Sequence, residues 1–325
     1  MKRDFTFKYF QNGNPKGFFS SKGQVLDDGL KLGDEFVPYS CVCDSTTRDE
    51  RLVLVLDTRD PNITPTLRAN MMDNALVLAV NGSLAESLER YIDRFASKHE
   101  AEQNRIRLEE AGEGHLFRVV TCPHCEATVD LSGIEKAPYI YCRYCESLFG
   151  DGVESLEGAA DYRTCDDCGY HDRVRGYGEF YFYFLLVIYG FSHKRRHLCD
   201  ACAKSLANKL LLINSIFVLG VPNAIYCMIR SRSGKDQRMK GLALGNQMAR
   251  GKKMDKAEVH YRKSLDIFRN HPGIHFNRAM GYLSASRGQE GVEALIDALK
   301  ACPNYLPAQR LQLELARAVE RSQTG

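Results

Sequence analysis

The 325-residue chain has no tryptophan and almost no net charge. Its 44 Lys and Arg nearly cancel 41 Asp and Glu, leaving +3 at pH 7. Such a balance gives no global attraction to nucleic acid. The opening "MKRDFTFKYF" lacks an apolar h-region, so a cleaved secretory signal is not expected. The closing "RSQTG" matches no lipidation signal. Also missing are a phosphate-binding loop, a Ser nucleophile elbow and an H-E-x-x-H helix. These absences argue against the enzyme classes that such motifs announce. An enzyme built from scattered residues would leave no such trace. The expectation is a non-enzymatic, cytoplasmic chain.

What is abundant is cysteine: twelve residues, eight of them in four Cys-x-x-Cys pairs. A disulfide framework needs an oxidising route, and none is legible, so paired spacings point to metal. Cys122/Cys125 and Cys142/Cys145 are separated by 16 residues, the length of a short hairpin. "ATVDLS" and "APYIYC" read as its two strands, joined at "GIEK". Two knuckles of two thiolates each complete a tetrahedral zinc shell. This stretch, 117–150, resembles a zinc ribbon. Its first pair, C-P-H-C, is also the dithiol of disulfide exchangers. A redox site, however, places the dithiol at a helix start within a βαβ pattern, and no helical period follows Cys125. His124 inside that knuckle is expected to face solvent.

Cys165/Cys168 and Cys199/Cys202 form a second quartet in a module spanning 160–205, with 30 residues between the pairs. Gly169 suits the φ > 0 turn beneath a metal. "HLCDACAK" runs into a helix, so the last ligands are expected at its start. His171, His193 and His197 lie nearby, but four cysteines already satisfy the site. The implied cofactor is two structural Zn2+ ions. Cys41 and Cys43 alternate along "VPYSCVCD", which predicts two buried free thiols on one strand face. Cys227 and Cys302 read as core residues.

Residues 1–97 are predicted to be β-rich, with short runs broken by turn chemistry such as Asn12-Gly13 and Asp27-Asp28-Gly29. One helix follows, with Leu84, Leu88, Tyr91, Ile92 and Phe95 on a single face. This order, strands closed by one C-terminal amphipathic helix, resembles a pleckstrin-homology-like barrel. Lys2, Arg3, Lys8, Lys16, Lys22 and Lys31 are scattered, which does not support a lipid-headgroup site. The charged stretch 98–116 reads as a solvated helical linker.

Residues 206–231 form an apolar segment, whose core 210–229 is long enough to cross a bilayer. Arg230, Arg232, Lys235, Arg238 and Lys240 follow it like a cytoplasmic flank. Gly220-Val221-Pro222 breaks the helix near its middle. The shorter run 180–191 is too short to span and reads as a strand hairpin arm. A membrane contact through 210–229, interfacial or re-entrant, stands beside a helix packed on neighbouring modules.

The tail, 238–322, repeats with a period of 34. Gly245 matches Ala279, Met248 matches Tyr282, Ala257 matches Gly291, Tyr261 matches Leu295, and Ser264-Leu265 matches Ala298-Leu299. These small and large packing positions resemble tetratricopeptide repeats, with "LPAQRLQLELARAVE" as a capping helix. Pro272 comes three residues later than the family pattern, predicting a longer second helix in the first repeat. Such a domain implies a groove for a protein or peptide partner, or for the chain's own metal module. The stretch 230–263 carries eleven Lys/Arg against three Asp/Glu.

The whole is expected to be a multidomain α+β chain acting as a zinc-binding scaffold or adaptor. The alternatives are a nucleic-acid-binding zinc ribbon protein and a thiol redox enzyme working through Cys122/Cys125. "EATVDLSGIEKAPYIY" is poor in basic residues for the former, and "HKRR" at 193–196 is short.

Overall fold

The computed structural model describes residues 3–11, 14–48, 51–80, 82–150, 159–185, 188–214, 221–231 and 237–324. Side chains are described within these ranges except at 48, 82–83, 160, 179–195, 213–214 and 322–324. The fold is mixed α+β and divides into two compact units, 1–133 and 134–325.

Unit 1 begins with β1 (Arg3–Gln11), β2 (Asn14–Pro15), β3 (Ser21–Val25), β4 (Gly29–Leu32) and β5 (Glu35–Pro38). Then come β6 (Val42–Arg48), β7 (Arg51–Leu56), α1 (Pro65–Arg68), β8 (Met71–Met72) and β9 (Ala75–Val80). The antiparallel sheet runs β5-β4-β3-β1-β9-β7-β6. Alternation builds its inner face. Phe5 and Phe7 of β1, Leu52, Leu54 and Leu56 of β7, and Leu76 and Leu78 of β9 are buried in one cluster. The barrel expectation is corrected. Among the described residues β5 and β6, which end the order, do not pair, because a 3-10 turn at Tyr39–Cys41 separates them. The sheet is open, with a helix over one face.

That helix, α2 (Gly82–Glu110), buries Ala85, Leu88 and Ile92 against the sheet, and Phe95 stacks on Tyr39 at 5.4 Å. The charged stretch expected as a separate linker is its second half. Ala101 and Leu108 are buried there, and the helix continues onto β10 (Val119–Thr121) and β11 (Thr128–Asp130). The Thr128 N–H donates to Ser97 Oγ at 2.9 Å, and Asn104 Nδ2 donates to Asp130 at 2.5 Å. Sequence periodicity alone cannot separate a solvated helix from one that docks a small β-hairpin through a few residues.

Cys41 is buried, but Cys43 is exposed, against the expectation of a shared face. A register shift between Val42 and Asp44 inserts Cys43 as an extra residue in β6, which turns it outward. Burial pushes the Cys41 thiol up to about 12.

Unit 2 starts with β12 (Ile140–Tyr141), β13 (Leu148–Phe149) and β14 (Tyr162–Thr164). A long hairpin follows, β15 (His171–Leu185) and β16 (Ile188–Cys199), paired from Val174↔Cys199 to Leu185↔Ile188. The run 180–191 is β as its composition implied, but it supplies the far ends of both strands, 180–185 of β15 and 188–191 of β16, rather than one arm, and 186–187 lie outside the described residues. Two helices come next, α3 (Asp200–Asn214) and α4 (Val221–Arg230). Residues 215–220, in the middle of the expected apolar span, lie outside the described residues, as do Arg232 and Lys235. No described helix is long and apolar enough to cross a membrane. The segment expected at 206–231, with its break at Gly220-Val221-Pro222, holds the end of α3 and all of α4 among the described residues, and the buried faces of the two helices share a core. Ala203, Leu206, Ala207, Leu210, Ala224 and Cys227 pack with Val174, Tyr177 and Leu198.

The chain ends in α5 (Lys240–Arg250), α6 (Met254–Ile267), α7 (Pro272–Ser284), α8 (Gly288–Ala301) and α9 (Leu306–Thr324). Two helix hairpins, α5/α6 and α7/α8, repeat. Lys252 and Ser286, the corresponding left-handed residues of the two turns, lie 34 positions apart. The second helices, α6 and α8, are each 14 residues. The expected longer helix is therefore absent: the turns 268–271 and 302–305 are equally long, and Pro272 is the first residue of α7 whereas Pro303 lies within its turn. A Cβ on Gly245 would sit 2.5 Å from the Tyr261 ring, so glycine here lets α5 and α6 approach. Tyr162 and Tyr170 of the second module share one hydrophobic cluster with these helices. The module and the repeat region, expected as separate domains, form one unit.

Candidate metal centres

Three of the four Cys-x-x-Cys pairs adopt the same local turn. In each, the first cysteine's N–H donates to a carbonyl five residues on: Cys122 to Ala127, Cys142 to Ser147 and Cys165 to Tyr170, at 2.9–3.0 Å. The residue after the second cysteine is left-handed: Glu126 at φ 62°, Glu146 at 59° and Gly169 at 72°. This turn folds both sulfurs to one side and aims backbone amides at them. The His124 N–H lies 3.5 Å from Cys122 Sγ, and the His124 side chain is exposed, as expected. The fourth pair is different. Cys199 ends β16, and Cys202 sits in the first turn of α3. The Cys199 N–H donates to Cys165 Sγ at 3.2 Å.

Glutamate in a left-handed turn costs roughly 1 kcal/mol that glycine avoids. Glu126 is mostly exposed in its ion pair with Arg94, so that pair is worth little. Glu126→Gly is therefore expected to stabilise unit 1 by about 0.5–1 kcal/mol. Thermal melting with metal bound would show this; an unchanged or lower midpoint would mean the turn carries no strain.

The eight paired cysteines assemble as the spacing implied. The sulfurs of Cys122, Cys125, Cys142 and Cys145 all lie within 4.8 Å of one another, and so do those of Cys165, Cys168, Cys199 and Cys202. None of the twelve cysteines is in a disulfide. In the second quartet, Cys168 and Cys199 Sγ are 3.9 Å apart. A tetrahedron with metal–sulfur bonds of about 2.3 Å has edges of about 3.8 Å. The donor set therefore fits a tetrahedral thiolate site and can hold a metal ion. Without a cation, the packed thiols conflict. Hydrogen bonds from Cys168, Cys199 and Cys202 hold Cys165 well below the usual thiol range. Bonds to Cys165, then Cys168 and Cys199, push Cys202 far above it. A divalent ion removes the conflict by taking all four as thiolates.

Strand pairing in the first quartet differs from expectation. "ATVDLS" and "APYIYC" do not pair with each other. Each knuckle sits in its own hairpin, β10 with β11 and β12 with β13. The knuckle turn, 122–127 or 142–147, brings a strand back beside the one preceding it, leaving none to reach across "GIEK". After Cys125 the chain enters β11, not the helix that a redox dithiol uses.

Neither His171 nor His197 belongs to a candidate cluster among the described residues, and the His193 side chain lies outside them. His171 is fully buried among the helices, and burial lowers its pKa to about 3. Three residues around the second quartet were not legible in sequence. Arg250 Nη1 lies 3.6 Å from Cys168 Sγ, where its charge offsets thiolate charge. Asn246, one turn earlier on α5, and Asn277 on α7 hold the strand leaving the knuckle. The only available signal was an i, i+4 pair of polar residues on an otherwise apolar helix face. Comparisons of the chain with protein-family models, curated proteins and solved structures returned no match.

Proposed function

We propose that the chain is a non-enzymatic adaptor whose two four-cysteine clusters bind structural zinc and whose helical repeat region engages a protein partner. The observation that carries this reading is the pair of closed four-thiol clusters. Four protein ligands leave no open coordination position, which is the signature of structural rather than catalytic zinc. The 34-residue helix-hairpin repeat supports the tetratricopeptide resemblance, and such regions work as docking surfaces. In unit 1, the strand meander with one C-terminal helix supports a pleckstrin-homology-like relationship without the closed barrel.

Elemental analysis of protein purified without oxygen or chelator tests the metal reading. Two zinc ions per chain are expected, with eight thiols shielded until denaturation. Zinc near zero, with fast-reacting Cys122, would overturn it in favour of a redox dithiol.

One observation favours a membrane-surface contact as well. On α4, Ile225, Tyr226 and Ile229 are 47%, 54% and 64% exposed, with Ala224 and Cys227 buried on the opposite face. Arg230 follows at the helix end. An amphipathic helix of this kind lies in the interface plane. In this reading, sedimentation with anionic vesicles captures the protein. Ile225→Ser with Ile229→Ser weakens capture at least tenfold, since two exposed aliphatic side chains are worth about 3 kcal/mol. Equal capture of both proteins would exclude α4 as the contact.

A further inference from the structure

The residues just beyond Cys165–Cys168 begin β15, pair with β14 along one edge (Arg163↔Asp172, Thr164↔His171), and also lie extended against α5 and α7 of the repeat region. Two asparagines read the main chain of one residue, His171. The His171 N–H donates to Asn277 Oδ1 at 2.7 Å, and its carbonyl accepts from Asn277 Nδ2 at 2.6 Å and Asn246 Nδ2 at 3.1 Å. Asn246 Nδ2 also donates to the Asp172 carboxylate at 3.0 Å. The asparagines are themselves fixed: Tyr261 Oη donates to Asn246 Oδ1 at 2.9 Å, and Asn277 Nδ2 does so at 2.8 Å. Asn246, Asn277 and Tyr261 are wholly buried.

The His171 side chain enters a hole that only a missing Cβ leaves open. A Cβ on Gly273 would collide with its ring. His271 and Tyr305 form further walls, with ring centroids 5.3 and 6.3 Å away. This strand is held at its other end by metal chemistry. The Cys165 N–H bonds to the Tyr170 carbonyl, and Cys168 lies three residues before His171. Helix α5 touches both ends, through Asn246 on the strand and Arg250 on Cys168 Sγ.

Resting on the zinc reading above, we propose that the α5–α7 face is a clasp for an extended peptide main chain, filled in cis by residues 170–172 and kept filled by metal at the second quartet. Asn246 and Asn277 are then positioning residues for that metal, acting through the strand they hold. By linkage, whatever loosens the strand loosens the metal equally, and metal loss makes the clasp available to an extended segment of another chain.

The test uses full-length protein whose zinc content is established first, so that failure of the zinc reading is seen separately. Zinc transfer to an excess of a colorimetric chelator is followed in wild type and in Asn277→Ala. Release of one zinc per chain is expected to accelerate at least tenfold while the other keeps its wild-type rate. Asn277→Asp, which retains the acceptor for the His171 N–H, should fall between them. Equal rates in all three proteins, or equal acceleration of both metals, would overturn the coupling.

The clasp itself is probed with a labelled peptide copying residues 169–175, Gly-Tyr-His-Asp-Arg-Val-Arg. It should bind Cys199→Ser/Cys202→Ser protein but not metal-loaded wild type, and Asn277→Ala should abolish that binding. Binding to both proteins, or to neither, would overturn it. Should the double-serine variant not fold, hydrogen exchange at the His171 amide in metal-loaded Asn277→Ala decides. Exchange at least tenfold faster than wild type supports the clasp; unchanged exchange overturns it.

Discussion

Cys199→Ser is expected to lower zinc content from two ions per chain to one and to abolish cooperative melting of residues 160–230. Cys165, Cys199 and Cys202 are buried members of the same small core as Val174, Tyr177, Leu206 and Leu210. That core has few large side chains, and two of its walls, the β15/β16 hairpin and α3, are joined at the metal ligands. Structural zinc binding contributes roughly 10–16 kcal/mol to folding, against a total domain stability of about 5–15 kcal/mol. The loss therefore exceeds what the remaining apolar contacts can hold. Cys227→Ser is the control. It places a hydroxyl in the same core without touching the quartet, and should cost only about 1–2 kcal/mol. Elemental analysis with circular dichroism melting separates the two variants. Two zinc ions and an unchanged melt in Cys199→Ser would refute the assignment of the second quartet.

Tyr261→Ala is the second large effect, expected to destabilise the repeat region by about 4 kcal/mol. Tyr261 is fully buried between α5 and α6, opposite Gly245. Removing the ring opens a cavity, and removing the hydroxyl leaves Asn246 Oδ1 short of a donor. Tyr261→Phe isolates the second part, at about 1 kcal/mol. The reciprocal substitution, Gly245→Ala, tests the same packing from the other side. In a solvated helix it would gain about 1 kcal/mol. Here the new methyl meets a ring that its hydroxyl bond keeps from swinging aside, and overpacking of about 1–3 kcal/mol outweighs the gain. Chemical denaturation of the three variants checks the ordering. A more stable Gly245→Ala would show that the helices are not in close contact.

Much of this was legible along the chain. Gly245 and Tyr261 were marked by their 34-residue partners, Ala279 and Leu295; the structure places Tyr261, Ala279 and Leu295 in one cluster, and the absent side chain of Gly245 makes room for it. The eight clustered cysteines were legible because a two-residue spacing favours a knuckle. Cys41 and Cys43 were half legible, since a strand pattern does not announce the bulge that turns Cys43 out.

The sequence by itself determined the local chemistry: the thiol quartets, the apolar face of α2, the β-prone hairpin arm and the repeat period. Each depends on residues close in the chain, where covalent geometry limits the outcome to a few conformations. Tertiary structure alone decided which segments meet. It left the N-terminal sheet open, joined the charged half of α2 to a cysteine-knuckle hairpin, and gathered α3 and α4 into one core with β15 and β16. It also seated His171 between two asparagines 75 and 106 positions away. No periodicity encodes such pairings. They follow from burying the start of a strand that β14 pairs along one edge, while the His171 N–H and carbonyl are met by side-chain amides from elsewhere in the fold.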